Sequence, residues 1–226
     1  MRVLVTGSSR GIGRAVAERF LEKGHVVIGI DLLAPSIFHP NYIHYQKDVS
    51  KKRSLPTIEG IEIIFNNAGT QNKNDISNNL VGAMNIVEKY AFQDKIKAVL
   101  FNASASARSG FEFPEYVASK AGVVGYMKNV ATRLAQYGAI CNSLSLGGVI
   151  TESNAPVMND KRSWDQITRV TPLKKWMTLE EVCDWVYFLL MTNKSMTGQD
   201  ILVDNGEYNS NNTFVWMGLL AAKNMK

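Results

Sequence analysis

The chain has 226 residues, 46% of them hydrophobic, and a formal net charge of +5, which suits one α/β domain with a sizeable core. The charge is mild, and Lys51-Lys52-Arg53, the one tight basic cluster, lacks interleaved aromatics, so it reads as a solvated turn rather than a nucleic-acid surface. Cys141 and Cys183 with three histidines form no disulfide framework or metal spacing, and the apolar stretch 214–222 is too short to span a bilayer.

Met1 leads directly into the apolar run Val3-Leu4-Val5, so no signal peptide is expected and a cytoplasmic location is. The run reads as a buried parallel strand near 2–6. Gly7, Gly11 and Gly13 then make a tight turn into a helix expected near 11–23, which Gly24 caps. The next strand is expected near 25–30. A strand, glycine turn, helix and strand in that order are the context of a dinucleotide site. Glycines let the backbone approach a pyrophosphate, and a helix N-terminus offers free N–H groups and the positive end of its dipole. Asp31 stands 20 positions after Gly11. A carboxylate there accepts hydrogen bonds from ribose hydroxyls and repels a 2′-phosphate, which favours NAD over NADP. Arg10, within the glycine turn, is the counter-signal that keeps NADP open.

Further strands are expected near 42–46, 61–66, 96–102, 139–145 and 200–203, and helices near 74–91, 114–137 and 179–191. This alternation implies a single doubly wound α/β domain over 1–206: a seven-stranded parallel sheet with helices on both faces. The polar segment 152–176, with Pro156, Trp164 and Pro172, breaks the rhythm after the sixth strand and would overhang the carboxyl edge as a substrate lid. Beyond the core, 207–226 is a tail whose Phe214, Val215, Trp216, Met217, Leu219 and Leu220 are expected to cover a neighbouring subunit or the site mouth.

In Tyr116-Val117-Ala118-Ser119-Lys120, a phenol and an ammonium fall one helical turn apart on one face. A fixed positive charge nearby favours the phenolate, which would bring the tyrosine proton within reach near neutral pH.

The glycine turn and this pair together resemble the short-chain dehydrogenase/reductase family. Thr6-Gly7-Ser8-Ser9-Arg10-Gly11-Ile12-Gly13 matches its Thr-Gly-x-x-x-Gly-x-Gly, and Asn66-Asn67-Ala68-Gly69 its Asn-Asn-Ala-Gly segment. Asp48-Val49 looks like its adenine-contacting pair, and Asn79 aligns with its active-site helix asparagine. The resemblance covers about residues 2–206. It implies alcohol–carbonyl oxidoreduction with NAD or NADP, on a small-molecule substrate, in a homodimer or homotetramer. It implies Tyr116 as general acid/base, Lys120 on the nicotinamide ribose, Ser104 on the substrate oxygen and Asn79 holding a water. Ser104 lies 12 positions before Tyr116 and Ser106 ten, so Ser106 is the reserve choice. The dinucleotide contacts implied are Gly7, Ser9, Arg10, Gly11, Ile12 and Gly13 at the turn. Asp31, Asp48 and Val49 follow, then Asn67, Ala68 and Gly69. Gly147, Val149 and Thr151 complete the set with Tyr116 and Lys120.

The sequence also departs from the family. The stretches between Asp48 and Asn66 and between Gly69 and Asn79 are short, so the third helix is expected to shrink to a turn. Leu146 stands where a proline usually precedes glycine, which removes a rigid φ. A catalytically silent dinucleotide-binding sensor or scaffold is therefore the alternative.

Overall fold

A computed structural model of the chain describes residues 1–71 and 73–210. The tail residues 214–220 singled out above lie outside the described residues. Seven strands run in parallel: β1 (Arg2–Thr6), β2 (Val26–Asp31), β3 (Tyr42–Gln46), β4 (Ile63–Asn66), β5 (Ala98–Asn102), β6 (Ile140–Leu146) and β7 (Asp200–Val203). Their spatial order is β3-β2-β1-β4-β5-β6-β7, so the winding reverses between β1 and β4.

Alternate strand residues feed two cores, which explains the unbroken apolar runs. Leu4, Ile28, Ile64, Val99, Phe101 and Cys141 face α2 (Gly82–Tyr90) and α4 (Pro114–Leu134). Val3, Val5, Val27, Phe65, Leu100 and Leu144 face α1 (Gly11–Glu22) and α7 (Leu179–Tyr187). Between these lie α3 (Ser106–Ser109), α5 (Ala155–Met158), α6 (Lys161–Val170) and, after β7, α8 (Glu207–Ser210). The helical segment after β3 is a single turn at Lys52–Ser54, as the short spacing implied.

The helix expected over 74–91 divides. Its first part, Ile76–Val81, is wound as a π-helix, and only Gly82–Tyr90 is α-helical. Asn79 accounts for the local distortion: its amide bonds the loop at Thr70 and Ser119 of α4 instead of facing solvent. Such π segments gather at functional sites. The segment 152–176 carries α5 and α6 around a small core of its own, Val157, Ile167 and Trp176, with Met158 and Trp164 against it. Among the described residues, no helix is long and apolar enough to cross a membrane.

Candidate active site

All strands end at one edge, and a cleft of about 810 Å³ opens there, across the point where the winding reverses. Its first wall is the glycine turn. Gly7 has φ +69° and Gly11 φ +52°, conformations that glycine adopts without penalty. A Cβ on Gly13 would meet the Gly7 carbonyl oxygen at 2.0 Å. Gly13 therefore shapes the turn from behind, while Gly7, Arg10, Gly11 and Ile12 face the cleft. Arg10 precedes α1 with extended backbone and no side chain caps the helix, which leaves its first N–H groups to an anion.

Thr6 stitches this turn to the end of β4. Its hydroxyl oxygen accepts the Asn67 and Ala68 N–H groups, each at 2.9 Å. The Asn67 amide donates to Thr6 O at 3.0 Å and accepts from Asn102 Nδ2 at 2.8 Å. Asn67, Ala68 and Gly69 thus form a second wall beside the turn. Asp31, buried at the end of β2, accepts from Ser9 N and Leu33 N, both at 2.8 Å. The Asp31 side chain lines the cleft, whereas Ser9 stands behind it as a support. Asp48 and Val49 line the same end; Ser50 holds the Asp48 carboxylate through its N–H and hydroxyl, which keeps that carboxyl below its ordinary value.

The other end of the cleft holds the reactive groups. Lys120, only 5% exposed, donates from Nζ to the Asn102 carbonyl at 2.8 Å and lies 5.6 Å from the Tyr116 ring centroid. The one-turn spacing thus does bring phenol and ammonium to one wall. The electrostatics differ from the sequence expectation. Burial and then the Glu112 carboxylate push the Tyr116 phenol above its ordinary value, opposed by the Ser104 hydroxyl. Burial also lowers Lys120 to about 8. Desolvation is the leading cause at both groups, because a low-dielectric wall disfavours both ionised forms.

Ser104 and Ser106 separate by geometry. Ser104 Oγ accepts from Ser106 Oγ at 2.8 Å and from Ser106 N at 3.2 Å, which leaves the Ser104 proton to be donated on the side of the Tyr116 phenol. Ser106, 1% exposed, also lies on the cleft wall and supports Ser104. Asn79 is 2% exposed, and its side-chain amide is committed to Thr70 and Ser119. Gly147, Val149 and Thr151 line the cleft as expected. The missing proline is offset by contact, since a Cβ on Gly147 would lie 2.6 Å from Asp204 Cβ and the chain is held there regardless.

Among the wall residues that were not anticipated are Gln71, Glu112, Trp176 and Glu207. Gln71 Nε2 donates to Glu112 Oε2 at 2.6 Å, joining the loop after β4 to the loop before α4. Burial, and then repulsion from Glu207, raise Glu112 to about 7. The one sequence signal was an acid set between two aromatics, Phe111-Glu112-Phe113, just before the Tyr116 helix.

The parallel order, the glycine turn and the cleft define a dinucleotide-binding fold of the doubly wound class. A family model described as enoyl-(acyl carrier protein) reductase matches residues 52–207, and the chain belongs to the short-chain dehydrogenase/reductase family. Similar curated proteins include a 3-oxoacyl-[acyl-carrier-protein] reductase of Staphylococcus epidermidis, 28% identical over 91% of this chain and 98% of that protein. A glucose 1-dehydrogenase of Gluconobacter oxydans is 25% identical, over 91% of each. Among solved structures, a 4-hydroxyisoleucine dehydrogenase complexed with NADH superposes with TM-score 0.85 at 22% identity, covering 93% of this chain and 99% of that one. The protein ElxO with NADP bound gives 0.80 at 24%, covering 92% and 98%. The chain is thus an oxidoreductase of a family whose members bind NAD or NADP.

Proposed function

We propose that this protein interconverts a secondary alcohol and a carbonyl with a nicotinamide dinucleotide, NAD in preference to NADP. The observation that carries the reading is the convergence of Tyr116, Lys120 and Ser104 on one wall of the cleft that the glycine turn opens. A silent sensor or scaffold has no use for a proton-transfer set.

The cleft fits a dinucleotide. The free N–H groups of α1 and the turn at Gly7 and Gly11 would hold the pyrophosphate. Asp31, with spare lone pairs on both oxygens, would accept the adenosine ribose hydroxyls, and Asp48 and Val49 would flank adenine. Asn67, Ala68 and Gly69 would border that ribose. Lys120 would hold the second ribose, and Thr151, with Gly147 and Val149, would meet the nicotinamide amide. The bound group supplies a hydride acceptor or donor.

The chain's own residues supply the rest. Tyr116 passes the hydroxyl proton to or from the substrate oxygen. Ser104 would turn its O–H to that oxygen as charge develops on it. Protonated Lys120 would favour the Tyr116 phenolate that burial disfavours, and a bound oxidised dinucleotide would add to that positive charge. Asn79 fixes the π-wound stretch and so the seat of α4. The test is a screen of secondary alcohols and ketones for nicotinamide absorbance change with NAD and NADP, run beside Tyr116→Phe. Turnover lost in the variant while dinucleotide still binds supports the reading; equal turnover in both removes it.

A further inference from the structure

The non-dinucleotide end of the cleft has an unusual charge. Glu112 and Glu207 both line it, the first from the loop before α4 and the second from α8. Each is raised by burial, and each feels another carboxylate: Glu112 feels Glu207, and Glu207 feels Asp204. The cation acting on Glu112 is Lys120, whose ammonium is already bonded to Asn102. Lys73 on the rim is exposed. Glu112 Oε2 accepts from Gln71, and no hydrogen bond to Oε1 is found among the described residues.

A second observation marks the same spot. Trp176 is 4% exposed, lines the cleft, and its Nε1 has no partner among the described residues. Nε1 lies against Gly148, where a Cβ would come within 2.0 Å of it. The Gly148 N–H in turn reaches the Glu207 carboxylate. A buried unpaired donor calls for an acceptor. Two carboxylates pushed towards neutrality call for a cation, which relieves their repulsion and desolvation together. Phe111 and Phe113 on the same wall add faces that attract cations.

We propose that the substrate carries a protonated amine, held by Glu112 and Glu207, together with an oxygen for Trp176 Nε1, beside the alcohol or carbonyl that reacts at Tyr116. This rests on the oxidoreductase reading above and names its substrate class: amino alcohols and amino ketones. At the carbinol carbon, the C–H bond breaks with hydride passing to the oxidised dinucleotide, and the O–H proton goes to Tyr116. The ammonium is unchanged. A neutral polyol satisfies the hydrogen bonds but leaves the carboxylate repulsion, and an anion adds to it.

Three alcohols of one size separate these cases: 1-amino-2-propanol, 1,2-propanediol and lactate. Their kcat/KM values are compared with NAD and NADP, and the thermal unfolding of the dinucleotide-bound protein is followed with each. The amine is expected to exceed the diol about tenfold and lactate about a hundredfold. It should also protect best against unfolding. Glu112→Gln, which keeps an acceptor for Gln71, and Glu207→Gln should each bring the amine-to-diol ratio close to one. Diol or lactate used as well as the amine overturns the inference and leaves the oxidoreductase reading intact. An amine preference unchanged in both variants overturns it too. If none of the three is oxidised, the unfolding measurement decides: no selective protection by the amine overturns the inference, and the fate of the wider reading rests on the Tyr116→Phe comparison.

Discussion

Lys120 Nζ stands 5.6 Å from the centre of the Tyr116 ring, yet it spends its hydrogen bond on the Asn102 carbonyl, 2.8 Å away. The ammonium is therefore fixed by the end of β5 and not by the phenol. Lys120→Met removes a buried cation that orders the β5 end and leaves the Asn102 carbonyl short of a donor. Activity is expected to fall by at least about a hundredfold, with a rise in dinucleotide Kd, because a positioned proton-transfer set contributes on the order of 10²–10⁴-fold. Steady-state rates and fluorescence titration with NADH check both.

Asp31 is the predicted discriminator between dinucleotides. Its two oxygens already hold Ser9 N and Leu33 N, so it is rigid. Asp31→Asn keeps the size and removes the charge that would face a 2′-phosphate, while losing one of the two backbone N–H bonds, since an amide oxygen replaces only one carboxylate oxygen. The kcat/KM ratio of NAD to NADP is expected to fall by about tenfold or more. An unchanged ratio would assign the preference to Arg10 or Lys47, which share that end of the cleft.

Gly13→Ala tests the glycine turn from behind, through the Gly7 and Asn67 wall residues it would press on. The added Cβ would sit 2.0 Å from the Gly7 carbonyl oxygen and 2.6 Å from Asn67 Nδ2, and a backbone atom cannot yield cheaply. Overpacking of this kind costs about 3 kcal/mol. At this chain length that corresponds to a Tm lower by roughly 6–12 °C. Calorimetry reads the shift directly.

Glu112 makes stability depend on pH with a definite sign. Its carboxyl ordinarily titrates at 4.5 and is raised to about 7 in the folded chain. Between those values the folded state holds more protons than the unfolded one, so stability falls as pH rises through the window and levels off above it. Glu112→Gln removes that loss. Relative to the parent, the variant should gain up to roughly 3 kcal/mol between about pH 5 and pH 8. Denaturant unfolding at the two pH values measures it. Lys120, lowered to about 8, titrates above this window and has the opposite slope.

Much of this molecule was legible because its signals are local. The apolar run at Val3-Leu4-Val5, the glycines that follow and Asp31 at the next strand end each report on neighbours a few residues away, and all sit where the spacing implied. Asn79 was legible as a residue but not as a shape. Its bonds to Thr70 and Ser119 wind the helix start as a π turn, a tertiary effect that no helical periodicity reveals. Glu112, Glu207 and Trp176 were not legible as a group, since they meet only when the small core of 152–176, α8 and the loop before α4 fold over one edge. The same holds for the Tyr116 phenol: four-residue spacing brought the lysine near, but burial decided the direction of its shift.

The most direct measurement is on Tyr116→Phe, which deletes one oxygen from the wall and leaves the turn at Gly7–Gly13 and the Lys120–Asn102 bond in place. Dinucleotide Kd and the rate of nicotinamide reduction are measured on the same preparation, with any alcohol the parent oxidises. The expected result is a Kd within a few-fold of the parent and a rate lower by at least about a thousandfold. A variant that binds dinucleotide equally well and turns over at the parent rate would contradict the assignment of proton transfer to this tyrosine.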